Sequence, residues 1–318
     1  MADFVQYHSP QGLFRRYEGN PILTAANWPY PANAVFNAGA VWHGNKVVLL
    51  VRVEDLCGFS HLTVARSEDG LTNWQIDDKP TMFAEPDKYP EELWGIEDPR
   101  VVYLEALQCF AVTYTAYSRG GPLVALALTR DFSQFDRQGA ILPVENKDAC
   151  VLPRRVGGKW FMIHRPVPAR PAGIHMWIAS SPDLLHWGQH KLLMAARPGG
   201  WWDADKIGLG PQPIATAEGW LVIYHGVRVT ASGAIYRSGL ALLDLEQPEK
   251  VVRRSKQWVL GPTEPYERMG DVPHANFPCG VVEVGGGEIY LYYGVADSSM
   301  AVAIAKTQDL LDFLKNES

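Results

Sequence analysis

Apolar runs of strand length, broken by tight polar turns, recur along this chain in one layout. "AVFNAGAVWHGNKVVLLVRVED" (34–55) reads as an apolar run, a Gly-Asn turn, a second strongly β-forming run and then a polar end. "GIEDPRVVYLEALQCFAVTYTAYS" (95–118), "KDACVLPRRVGGKWFMIHRP" (147–166), "KIGLGPQPIATAEGWLVIYHGV" (206–227) and "NFPCGVVEVGGGEIYLYYGVADS" (276–298) repeat it. Each hairpin is followed by a shorter apolar strand, a polar turn and, in most, an aromatic: "HLTVARSEDGLTNWQI" (61–76), "LVALALTRDFSQFDRQ" (123–138), "IHMWIASSPDLLHWGQ" (174–189), "YRSGLALLDLEQPEKVV" (236–252) and "MAVAIAKTQDLLDFL" (300–314). Alternation of the strand type is plain at Val124, Leu126 and Leu128. Helical periodicity is nearly absent, and only "TQDLLDFLKN" near the C-terminus reads as a short helix.

Five similar units at a period of roughly 50–70 residues match a four-stranded blade with loops. A sandwich is the plainer home for short strands, but repetition of the whole unit points to radial assembly. The expected fold is all-β: one five-bladed β-propeller domain over residues 1–318, with no linker.

Composition narrows the partners. The 318-residue chain is 47% hydrophobic and 20% charged, as for a soluble globular protein, and its formal charge of −6 argues against nucleic acid. The N-terminal "MADFVQYHSPQGLFRRYEGN" has no basic segment leading into an apolar one, and no stretch is apolar for long enough to span a bilayer. A cytoplasmic protein is expected. Cys57, Cys109, Cys150 and Cys279 are scattered without CxxC spacing, which reads as buried free thiols. No His, Cys and carboxylate grouping has metal-ligand spacing, so no metal and no organic cofactor is expected. "DADKIGLGPQP" bears glycines but lacks the strand-to-helix setting of a nucleotide loop.

In a propeller the first strand of every blade lines the axis, so equivalent starting positions converge on one pocket. Those positions hold Asn37, Glu97 with Asp98, Lys147 with Asp148, Lys206, and Asn276 with Phe277. Strands ending in "VRVED", "TYTAY", "IHRP", "YHG" and "YGVADS" add further polar groups. Singly, each has a bland alternative: Asp98 before a proline opens turns, Arg165 suits a structural ion pair, Lys206 a solvated loop, and His225 a hydrogen-bonded core position. A funnel of ionisable side chains floored by aromatics suits a sugar.

The motifs "GIEDPRV", "NKD…LPRRVGGKW..IHRP", "KIGLGPQPI…GWLVIYHGV" and "YYGVADS" resemble glycoside hydrolase family 130, the inverting β-mannoside phosphorylases, along nearly the whole chain. The resemblance implies a glycosyltransferase-type phosphorylase that turns a β-1,2- or β-1,4-mannoside and inorganic phosphate into α-mannose 1-phosphate and a shortened sugar. It places Asp98 as general acid, acting through the 3-hydroxyl of the bound mannose. Arg165, Lys206, His225 and Tyr236 fall at phosphate positions, and Asn37, Arg52, Lys147, Asp148 and Asp297 at the mannose subsite. His274 and Phe277, in the Pro-rich "DVPHANFP" (271–278), are taken as substrate-binding residues; that loop and "YPEELWG" (89–95), with Trp94, either floor the leaving-group subsite by stacking on sugar rings or are ordinary rigid connections. Glu97, next to Asp98 on a strand, is expected to point to the opposite side as the partner of a cation. Members of the family are often dimers or larger, which carries over as an expectation of homo-oligomers.

Chemistry supports choosing phosphate over water. Inverting hydrolysis needs a second carboxylate to activate water, whereas phosphate arrives as an anion and needs cations instead. The alternative is an inverting β-mannosidase on the same fold, with Glu54 or Glu91 as its base. A non-catalytic sugar-binding propeller would keep its affinity without Asp98, and a five-bladed furanosidase would carry acids where lysines stand here.

Overall fold

A computed structural model describes residues 12–167 and 173–317. Five antiparallel sheets are arranged as a five-bladed propeller, as expected. Blade 1 comprises Ala34–His43, Lys46–Glu54, Ser60–Ser67 and Gln75–Ile76, from axis to rim. Blade 2 comprises Ile96–Leu104, Cys109–Ser118, Gly121–Thr129 and Asp136–Leu142, and blade 3 comprises Asn146–Val151, Trp160–Pro166, Met176–Ser181 and Gly188–Met194. Blade 4 runs Lys206–Leu209, Gly219–Thr230, Gly233–Leu243 and Val251–Arg254, with the short Ile214–Thr216 pairing its second strand.

Blade 5 departs from the expected unit. Its first three strands are Asn276–Gly285, Glu288–Val295 and Ser299–Lys306, after which the chain turns into the helix Thr307–Asn316. The outer positions are filled from the other end of the chain, by Arg15–Arg16 and Leu23–Thr24, both antiparallel to Ser299–Lys306. The ring is thereby closed by pairing of distant segments.

Second strands read as unbroken apolar runs because both of their faces are buried between blades. In "KVVLLVRVE", Val47, Leu49, Val51 and Val53 pack toward blade 5, while Val48 and Leu50 pack toward blade 2. Each such side chain contributes roughly 1.5–3 kcal/mol of burial.

The polar turn seen after each third strand has one mechanism in blades 1, 2 and 3. Ser67, Thr129 and Ser181 accept through their hydroxyl oxygens from the backbone N–H of Gly70, Phe132 and Leu184. One carboxylate oxygen each of Asp69, Asp131 and Asp183 accepts two further N–H groups downstream. The residue after each aspartate is left-handed, with φ of 71°, 59° and 73° at Gly70, Phe132 and Leu184. Glycine suits that conformation, and burial of the Phe132 and Leu184 side chains offsets its strain in the other two.

A second repeated device clips the loop that enters a blade. Fully buried Glu92, Asp203 and Glu267 accept from the hydroxyls of Tyr114, Tyr224 and Tyr293 at 2.7, 3.0 and 2.9 Å. They also pair with Arg137, Arg254 and Arg16 of the respective outer strands at 2.7, 2.7 and 2.8 Å. Blade 3 has His164 and His190 in this place, with ring nitrogens 3.1 Å apart.

Three thiols, Cys109, Cys150 and Cys279, are buried and free as expected; Cys57 is free but exposed, because it sits in the turn between the second and third strands of blade 1. Among the described residues no helix is long and apolar enough to cross a membrane.

Candidate active site

The site is built by a bulge repeated in neighbouring blades. Inner strands slip register between Phe36 and Gly39, Glu97 and Arg100, and Lys147 and Cys150. Within these bulges Asn37, Asp98 and Asp148 take left-handed φ angles of 50°, 49° and 50°. The extra residue and the altered dihedral aim all three side chains toward the axis. Beside them on the second strands, register places Arg52, Thr115, Arg165, His225 and Gly294 at equivalent positions.

The result is a cavity of about 170 Å³ lined by all the expected site residues except His225 and His274, with Val272 and Ala275 completing its wall. On one side Asp98 Oδ1 accepts from Asn37 Nδ2 at 2.9 Å and from Arg52 Nη1 at 3.0 Å. Burial works to raise the Asp98 pKa, but Arg52, then Lys147 and Arg100, outweigh it and hold the carboxyl below its usual value.

On the other side Arg165 Nη1 lies 2.9 Å from Asp148 Oδ2, and Lys206 Nζ donates to the Tyr236 hydroxyl at 2.8 Å while standing 4.9 Å from the centre of its ring. Burial opposes ionisation of Asp148, and the charges of Arg165 and Arg100 overcome it, so its carboxyl lies well below the usual range. Phe277 lines the cavity with its ring centre 4.5 Å from that of His225.

Two expected residues stand outside the wall. His225 is fully buried behind it, with Nε2 3.3 Å from Arg165 Nη1, and burial pushes its pKa down to about 3. Neutral at physiological pH, it accepts from Arg165 and bears on the cavity through that guanidinium. His274, in a left-handed turn at φ 63°, contributes its carbonyl instead, which accepts from the Tyr236 N–H at 3.0 Å and so holds that strand end. Trp94 is exposed on the rim, its ring edge-on to Tyr117 at 5.3 Å, and does not line the cavity.

Glu97 corrects the alternation argument. It does pair with cations, Arg52 Nη2 at 3.3 Å and Lys147 Nζ at 3.4 Å, but it does not point away from Asp98: both carboxylates meet the same Arg52. The bulge breaks the two-residue period on which the expectation rested.

Sequence reasoning passes over Arg100, although it lies in "GIEDPRV". It is fully buried beneath the site, donating to the carbonyls of Asp98, Leu209 and Gly210 at 2.9, 3.0 and 3.0 Å and lying 3.6 Å from Asp148 Oδ1. An arginine two residues beyond a candidate acid, inside an apolar strand, is the signal that marks it. Glu54 and Glu91, the alternative bases, lie off the cavity lining; Glu91 Oε1 accepts from the Ala140 N–H. Among the described residues no group of three or more His, Cys, Asp or Glu could hold a metal ion.

An acid and a set of cations converging at the axis of a five-bladed propeller define a carbohydrate-active enzyme. The sequence model of glycoside hydrolase family 130, described as beta-1,4-mannooligosaccharide phosphorylase, matches residues 13–316, and the chain belongs to that family. It is 36% identical to the beta-1,4-mannooligosaccharide phosphorylase of Ruminococcus albus, over 95% of this chain and 91% of the relative. It is 38% identical to the beta-1,2-mannobiose phosphorylase of Listeria innocua, over 95% and 99%. The solved structure of the Listeria innocua beta-1,2-mannobiose phosphorylase with beta-1,2-mannobiose superposes with a TM-score of 0.88 at 32% identity, covering 96% of this chain and 99% of that one.

Proposed function

We propose that this protein is an inverting β-mannoside phosphorylase in which Asp98 is the general acid and Arg165, Lys206 and Tyr236 receive phosphate. The supporting observation is the division of one small cavity into an acid side, with Asp98 fixed by Asn37 and Arg52, and a cation side. Asp148, the carboxylate on the cation side, is taken up by Arg165 and Arg100, so no free base faces Asp98 there to activate water. Arg165 supplies fixed guanidinium donors, Lys206 a mobile point charge and Tyr236 a hydroxyl; together they favour an oxyanion. Phosphate attacks C1 of the mannose from that side, and the leaving oxygen takes a proton from Asp98 through the mannose 3-hydroxyl.

The relatives act on β-1,2- and β-1,4-mannosides, and both are substrate candidates for this chain. The test is product analysis on a panel of β-1,2- and β-1,4-linked mannobioses and mannosyl-glucose, with and without inorganic phosphate. Mannose 1-phosphate formed only with phosphate is the expected result, and Asp98→Asn should lower its rate by roughly 100-fold or more. Free mannose released at equal rate without phosphate would instead establish the hydrolase.

A further inference from the structure

A general acid must hold a proton at the moment its leaving group departs. Asp98 accepts from Asn37 and Arg52, contacts that favour its carboxylate form, so it needs a source of protons. Asp148 is held ionised by Arg165 and Arg100, and Glu97 lies between Arg52 and Lys147. Asp297 differs: it lines the same cavity, yet among the described residues its carboxyl forms no salt bridge or hydrogen bond.

Its position is fixed by the backbone. Ala296 and Asp297 are both left-handed at φ 50°, in the tight turn after which Val295 pairs with Ser299. The turn is gripped by the neighbouring loop, with Ala296 N donating to Ala275 O at 2.8 Å and Val272 N to Ala296 O at 3.0 Å. Two consecutive non-glycine residues in this region carry strain that the surroundings enforce. Asp98 and Glu97 of blade 2, Arg52 of blade 1 and Lys147 of blade 3 are the charged groups acting on the Asp297 carboxyl. Burial first and the Asp98 charge second raise its pKa to about 6, against Arg52 and Lys147.

Resting on the phosphorylase reading, we propose that Asp297 is a second proton-holding carboxyl of the reaction: filling the phosphate cradle makes the Asp98 and Asp297 pair take up one proton from solvent, Asp297 holding it until Asp98 delivers it. A dianion held by Arg165 and Lys206 beside Lys147 offsets part of the positive field of Arg52, Lys147 and Arg100 that favours the Asp98 carboxylate, and it disfavours ionisation of both carboxyls, so the acid is loaded when its nucleophile is in place. The proton count closes. An oxygen of hydrogen phosphate bonds to C1, the C1–O bond breaks with its electron pair on the leaving oxygen, and the proton held by the carboxyl pair passes to that oxygen. The proton carried by the phosphate, now on the sugar phosphate, returns through solvent to the carboxyl pair, and none is consumed overall.

Calorimetric titration of inorganic phosphate into wild type and Asp297→Asn, in two buffers of unlike ionisation enthalpy near pH 7, measures proton uptake; the titration of phosphate itself cancels in the difference. Wild type should take up more protons than Asp297→Asn does, by roughly half a proton per site. The alkaline limb of its kcat profile should move down by about one pH unit or more in Asp297→Asn, and Asp297→Glu should restore both readouts. Equal uptake and an unmoved limb, with only the mannoside KM raised, would reduce Asp297 to a sugar ligand and overturn the proposal while leaving phosphate dependence intact. Should Asp297→Asn fail to fold, carbon-13 carboxyl titration of wild type decides: one aspartate near pH 6 must move upward with phosphate, and its absence sinks the idea.

Discussion

Asp98, Asn37 and Asp148 are ordinary polar residues in an extended strand until a bulge turns each to a left-handed φ, and their chemistry depends on that turn. The motif "GIEDPRV" makes Asp98 legible as a candidate, but a register slip leaves no mark in an apolar pattern, so simple alternation points Glu97 the wrong way. His225 and His274 are legible as members of the site and not as residues behind its wall, since depth along a strand is set by packing against neighbouring blades. Gly208 shows how little room remains. A Cβ there would collide with Asp148 Oδ2 and lie 2.5 Å from His225 Cε1. Because Arg165 fixes the Asp148 carboxylate, that atom cannot retreat without breaking the ion pair. Gly208→Ala should cost about 1–3 kcal/mol of stability and raise the phosphate KM more than the mannoside KM, as denaturation and steady-state kinetics would show.

At the scale of elements, inner hairpins and third strands are readable because their apolar runs and Asp turns repeat. The closing strand is not. Arg15–Arg16 is two residues long, has no apolar signature and gains meaning only from its pairing with Ala303 and Ile304 across the whole chain length. The carboxylate clips are equally hidden, since Tyr293 and Glu267 become partners only in three dimensions. Arg16 joins the two features: it sits on the closing strand, donates to both Glu267 oxygens at 2.8 and 2.9 Å and reaches the Gly261 carbonyl at 2.7 Å. Arg16→Ala strands a fully buried carboxylate, a change that costs roughly 3 kcal/mol. Chemical denaturation should show that loss, and amide exchange should show Ser299–Lys306 opening before the strands of blade 3.

For the whole molecule, stability depends on acid through histidines that folding keeps neutral. Burial, assisted by His190, pushes His164 down to about 3, far below its ordinary value. An unfolded chain takes up that proton near pH 6.5, whereas the folded one does so only near pH 3, so the stabilisation is complete above pH 6.5 and drains away as pH falls between the two values. Asp297, whose pKa moves up to about 6, works in reverse and gains as pH falls below 6. Comparing wild type with His164→Gln isolates the histidine: between pH 5.5 and 4.5 the substituted protein should lose about 1.4 kcal/mol less per pH unit, and equal slopes in urea titrations would count against a neutral His164.

Arg100 reaches from blade 2 to the carbonyls of Leu209 and Gly210 and is fully buried beneath the cavity, while Gln212 donates to those of Ala40 and Val281, so the inner strands of blades 1, 2, 4 and 5 are laced together. The shaft of the ring is therefore a well rather than a tunnel. Everything consumed or made must cross the same lip, so a sugar phosphate that lingers at the bottom bars the next turnover.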